Sequence, residues 1–153
     1  MKHLLIAAVT ALSLTACGAP SSGSSDVAVD AAALSVLISD GYIMAPLKGR
    51  DVGAGFFIAE NQGPATQIVA ASSPVARAVE IHTHSMADGV MQMREVDAVD
   101  LPENGSIAFE PGSFHLMMFG FSHADGQMDA PVTFTLGSGE DFTVTLPIRE
   151  MGQ

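Results

Sequence analysis

Turn-forming residues cut this chain into ten short, strand-like runs, and that rhythm restricts the fold more than any other feature. Runs of about 4–8 β-branched, aromatic and aliphatic residues, bounded by Gly, Pro, Asn, Asp and Ser, read as strands. Ser35–Ser39 and Tyr42–Ala45 lie on either side of Asp40-Gly41, Gly55–Glu60 ends at Asn61-Gln62-Gly63-Pro64, and Thr66–Ala71 ends at Ser72-Ser73-Pro74. Val79–His84 and Val90–Val96 flank Ala87-Asp88-Gly89, a hairpin signal. Ser106–Phe109 and Phe114–Phe119 flank Glu110-Pro111-Gly112, and Val132–Leu136 and Phe142–Ile148 flank Gly137-Ser138-Gly139-Glu140. No stretch carries a sustained helical period with caps, and there is no internal repeat or glycine-rich phosphate loop. The expectation is an all-β domain, an antiparallel sandwich or barrel.

The N-terminus has a different texture. Met1-Lys2-His3 carries positive charge, and Leu4–Leu14 is apolar apart from Thr10 and Ser13. A bilayer span needs about 20 apolar residues, so this run is too short to cross, yet it suits the core of an export signal. It ends in Leu14-Thr15-Ala16-Cys17, which resembles the lipobox of bacterial lipoproteins. That resemblance implies a signal peptide over residues 1–16, cleavage before Cys17 and lipidation of that cysteine. Cys17 is the single cysteine, so the domain has no internal disulfide. Several acyl chains would hold the protein on a membrane where one would not. Gly18 after the cysteine points toward the outer membrane in didermal bacteria, with the choice of membrane left open. Residues 17–33, small and polar around Ala19–Ser25, read as a flexible tether, and residues 34–150 as the folded domain. A domain of that length can bury its own core.

Without residues 1–16 the chain has five basic residues against 17 acidic ones, a formal charge of −12. That balance disfavours nucleic acid and anionic lipid headgroups as partners.

Four of the five histidines and eight of the nine methionines lie beyond Cys17, many of them between positions 82 and 118. Side chains alternate along a strand, so His82, His84 and Met86 share a face, as do Met91 and Met93. If the hairpin loop between them holds an even number of residues, all five share one face. In Phe114–Phe119, Phe114, Leu116 and Met118 suit a core, while His115 and Met117 point the other way. Two segments thus offer imidazole together with thioether. Thioether is a soft, neutral donor that suits Cu(I) and does little for zinc, magnesium or calcium. Thiolates bind Cu(I) more tightly but oxidise in an exported protein.

The spacing is His82, ten residues, Met93, twenty-one residues, His115, one residue, Met117. This matches the H(M)-X10-M-X21-H-X-M pattern and so resembles the PCu(A)C family of periplasmic copper chaperones. The flanking Val79-Glu80-Ile81-His82, Asp88-Gly89-Val90-Met91 and Pro111–Met117 are similar as well, and the likeness runs loosely from Ser35 to Ile148. It implies a cupredoxin-like antiparallel β-sandwich or Greek-key barrel. It also implies Cu(I) held by His82, Met93, His115 and Met117, and delivery toward the binuclear copper site of cytochrome c oxidase. The place of action would be the periplasmic face of the envelope. Some relatives add a His- and Met-rich tail that binds Cu(II). Here Arg149–Gln153 offers only Met151 as a soft donor, so no comparably tight Cu(II) site is expected.

A lone histidine in a β-domain is usually solvated or hydrogen-bonded, and a lone methionine usually fills core space. On that ground His84 is read first as a solvated residue, with a supporting or alternative ligand role second. Met86 and Met91 are read as packing or turn residues, Met118 as core, His123 as an exposed loop residue, and Met44 and Met128 as structural. A copper buffer without a defined acceptor and a β-sandwich that binds no metal stand as alternatives to the chaperone. An enzyme is disfavoured, because there is no nucleophile elbow, matched carboxylate pair or three-ligand zinc pattern. A blue-copper electron carrier needs a cysteine thiolate, and the one cysteine lies in the lipobox.

Overall fold

The computed structural model describes residues 35–150 except Asp88, with Ala87 described by its backbone alone. The signal peptide expected at 1–16, Cys17 and the tether expected at 17–33 lie outside those residues. Within them the chain forms ten strands: β1 Val36–Met44, β2 Val52–Asn61, β3 Thr66–Ser72, β4 Ala78–Ala87, β5 Val90–Glu95, β6 Val99–Leu101, β7 Ser106–Phe109, β8 His115–Phe119, β9 Asp129–Leu136 and β10 Asp141–Arg149.

The hydrogen-bonded order is β5-β4-β8-β2-β1-β10-β9-β3-β6, with β7 also on β2. The path folds into two layers at the junction of β1 and β10, a short parallel pairing through Ile43–Ile148 and Met44–Arg149. The other strand pairings are antiparallel. Phe57 on β2 joins the layers, stacking on Phe109 at 4.2 Å between ring centroids and meeting Phe134 on β9 edge-on at 5.0 Å. The fold is the expected all-β, cupredoxin-like sandwich, with that one parallel pair added.

Two of the sequence runs merge. Asp40-Gly41 does not end a strand but forms a β-bulge inside β1: Ser39 pairs with Ile58 and Tyr42 with Phe56, so two residues face Phe57 alone. Asp40 takes a positive φ of 51° there. Gly41 packs where a Cβ would lie 2.5 Å from Leu146 Cδ2, so the bulge turns the chain against β10. The tenth strand is instead β6, three residues between charged positions and a proline, too short to stand out as a run.

The feature that builds the site is a break along one edge of β2. β8 pairs with Val52–Gly55 and β7 with Phe57–Glu60, both antiparallel, so β7 and β8 lie end to end along the same neighbour. The intervening residues 110–114 loop out and return. The Ser113 amide donates to the Glu110 carbonyl at 3.0 Å, with Pro111 second and Gly112 third at φ 88°. Proline at that second position and a positive φ at the third define a type II turn. It brings the Ser113 carbonyl over the start of β8.

Candidate metal centre

β2 and β8 alternate in and out of the core. Leu116 and Met118 on β8 are fully buried against Gly55 and Gly53, so His115, Met117 and Phe119 take the outer face of the layer. On β4, Ile81 is buried, which turns Glu80, His82, His84 and Met86 outward. The β4–β5 turn leaves Ala87 opposite Val90, an even loop, so Met86 faces Met91, His84 faces Met93 and His82 faces Glu95. Across β4 and β8, His82 faces His115 and Glu80 faces Met117. Directly paired residues share a face. One outer surface therefore gathers His82, His84, Met93, His115 and Met117, with Met86 and Met91 farther along the hairpin.

The rings sit close. His115 lies 5.0 Å from His84 and 6.0 Å from His82 between centroids. Phe56 and Phe119 flank them, 6.4 Å from His115 and His82 respectively. His115 is buried, while Met93 is about half exposed at 47%. Among the described residues, no three His, Cys, Asp or Glu side chains are placed to hold a metal ion.

Hydrogen bonds settle which nitrogen each ring leaves free. His115 Nδ1 donates to the Ser113 carbonyl at 3.1 Å, since a carbonyl only accepts, and Nε2 keeps its lone pair. His82 Nε2 donates to the Glu80 carboxylate at 2.9 Å, and its Nδ1 is buried with no hydrogen-bond partner. Buried nitrogens normally find partners, so this bare acceptor is open to a ligand. A metal-binding histidine usually donates its second N–H to a carboxylate or carbonyl, which fixes the tautomer and the ring. Burial holds the His115 pKa below its ordinary value, opposed by the Ser113 carbonyl and aided by the His84 and His82 charges. Burial thus favours the neutral ring, the form that binds a metal.

The four sequence-predicted residues share one face but do not form a square, and Met93 and Met117 lie on opposite sides of β4. His82 is the centre: His115 is directly across, while Met93 and Met117 are each one step diagonal. His84, read first as a solvated residue, sits on the same face directly opposite Met93, and its Nδ1 reaches the Ser113 carbonyl at 3.4 Å. Sequence reasoning also missed Glu80 and the Ser113 carbonyl. Glu80 was findable, because position i−2 from His82 shares its face. Ser113 acts through its backbone, which leaves no side-chain signal.

The family model of LpqE-like lipoproteins matches residues 36–148, nearly the whole described domain. The chain belongs to the LpqE-like family. No curated protein matches it. Among solved structures, this LpqE-like domain resembles the copper-bound PCuAC domain from PmoF2, at TM-score 0.63 and 18% identity over 76% of this chain and 93% of that one. It resembles the apo PCuAC domain from PmoF1 at TM-score 0.64 and 16% identity, covering 76% and 94%. The copper(I) form of DR1885 from Deinococcus radiodurans gives TM-score 0.58 and 18% identity, covering 82% and 87%. At such identities the likeness is one of fold. Among the described residues, no helix is long and apolar enough to cross a membrane.

Proposed function

We propose that this protein binds Cu(I) through His82, Met93, His115 and Met117 and passes it to an acceptor protein outside the cytoplasm. The observation that carries the reading is the unpartnered Nδ1 of His82, on one face with the free Nε2 of His115 and two thioethers. Two imidazoles and two thioethers are neutral, soft-to-intermediate donors, a set that favours Cu(I) over harder cations. The copper-bound relatives of the same fold support the choice of cargo.

The geometry also supports release. Met93 is exposed on the edge strand β5, so an acceptor can approach from that side. An incoming ligand displaces the exposed thioether first, shares the ion, and then draws it off the buried imidazoles, so the ion is never free. Glu80 and Ser113 hold the two rings in place as the ligands leave. The protein's own residues bind and orient, and no bond of a substrate is broken, so the reading is a carrier and not an enzyme. The acceptor chemistry that fits is a copper-poor protein site with softer or more numerous donors; we assign it to the binuclear copper site of cytochrome c oxidase. In the same reading, Cys17 carries the lipid that keeps the domain at the periplasmic face of the envelope, with residues 17–33 as tether.

The test is a Cu(I) titration of the protein against a competing chelator, followed by addition of the apo copper domain of an oxidase subunit. Cu(I) binding followed by transfer is expected. Tight binding with no transfer would favour a buffer, and no binding would overturn the reading.

A further inference from the structure

The hairpin of β4 and β5 extends past the strand that supports it. Its pairing with β8 ends at His82–His115, while β4 and β5 stay paired to Ala87–Val90. Residues 83–87 and 90–94 thus form a two-stranded arm beyond β8, a unit with little stability of its own. Seven large apolar side chains stand exposed among the described residues, and four of them, Met86, Val90, Met91 and Met93, are on this arm. Met86 is 66% and Met91 63% exposed, so neither fills core space. Packing therefore gives no reason for them, and their chemistry remains: a pair of thioethers directly opposite one another on the arm.

Opposed residues in an antiparallel pair have Cβ atoms roughly 4.5–5.5 Å apart, within reach of two flexible methionines holding one ion. His84 lies two positions before Met86 on the same face, with Nδ1 on the Ser113 carbonyl, which leaves Nε2 free. We propose that His84, Met86 and Met91 form a second, weaker soft-cation site on the arm, outside the inner quartet. The proposal rests on the Cu(I) reading of that quartet. Three neutral donors suffice for a soft monovalent ion, and the open arm makes the site weaker than one with four. Met93 faces His84 directly and His82 diagonally, so it lies between the two sites, and an ion can pass inward by exchanging one ligand at a time. The ion stays Cu(I) throughout, so no electron moves.

The purified protein is titrated with Cu(I) under reducing, anaerobic conditions against a chelator, with carbon-13 methyl labels on methionine. Wild type should take two equivalents, the second held roughly tenfold or more weakly, about 1.4 kcal/mol. The methyl signals of Met86 and Met91 should move with the weaker equivalent. M86L/M91L should take one equivalent at unchanged affinity, which also shows that the variant is folded, and H84N should likewise lose only the weaker one. Saturation of wild type at one equivalent overturns the arm site and leaves the quartet standing. So does a second equivalent that survives in M86L/M91L, or loss of the tight equivalent in either variant. Failure of wild type to bind any Cu(I) overturns both.

Discussion

At the level of single residues, Glu80 and the Ser113 carbonyl hold the two imidazoles of His82 and His115 in place. Glu80 accepts the N–H of His82 and so keeps Nδ1 as the free donor. Glu80→Gln retains an acceptor oxygen but loses the charge that raises ring basicity. Outer partners of this kind are worth about 10–100-fold in metal affinity. We expect Cu(I) affinity to fall roughly tenfold in the chelator competition, with the apo melting temperature little changed. His115 predicts a pH effect. Its pKa in the folded domain is lowered, chiefly by burial. As pH drops below the ordinary imidazole value of about 6.5, the unfolded chain takes up a proton that the folded chain still refuses. Apo stability should therefore decline as pH falls through that region toward the lowered value, and the decline should be smaller in His115→Gln. Chemical denaturation at a series of pH values measures it. The same lowering should let His115 keep its copper further into acid than a free imidazole would.

At the scale of elements, β1 is where local chemistry and tertiary packing diverge. Asp40-Gly41 has the composition of a turn, yet the pairing with β2 continues on both sides of it. Gly41→Ala would push a methyl against Leu146 and should cost about 1–3 kcal/mol, the usual range for overpacking. Urea denaturation gives the figure, and a change near zero would mean that Leu146 moves aside. Nine of the ten strands were readable as sequence runs, because each alternates or clusters apolar residues between turn formers. β6 was not, because three residues carry no period. The face shared by His82, His84, Met86, Met91 and Met93 was legible from alternation only on condition of an even loop, and the pairing of Ala87 with Val90 supplies that condition. The end-to-end placement of β7 and β8 was not legible: a Pro-Gly turn ordinarily suggests chain reversal, and only pairing of both strands with β2 shows otherwise. That placement is what delivers the Ser113 carbonyl to His115. The exposure of Met86 and Met91 was likewise hidden, because composition alone makes a methionine look like core.

At the scale of the whole molecule, the site lies on the outer face of one layer, while the core between the layers is filled by Phe57, Phe109 and Phe134. Site and core are thus separable: ligands can be changed without touching the stacked rings. The described domain begins at Ser35, well after Cys17, and the proposal that a lipid sits on Cys17 is tested by mass spectrometry of the native protein. The expected N-terminal peptide starts at an acylated Cys17, and an unmodified Cys17 or another start would remove the anchor.

Whether two thioethers and two imidazoles share one Cu(I) is decided by X-ray absorption of the protein loaded with one equivalent. A mixed shell of nitrogen and sulfur around Cu(I) is expected. The sulfur contribution should fall in Met117→Leu, a swap that costs less than about 1.5 kcal/mol of folding stability. A shell of nitrogen and oxygen alone, or one that Met117→Leu leaves unchanged, would contradict it.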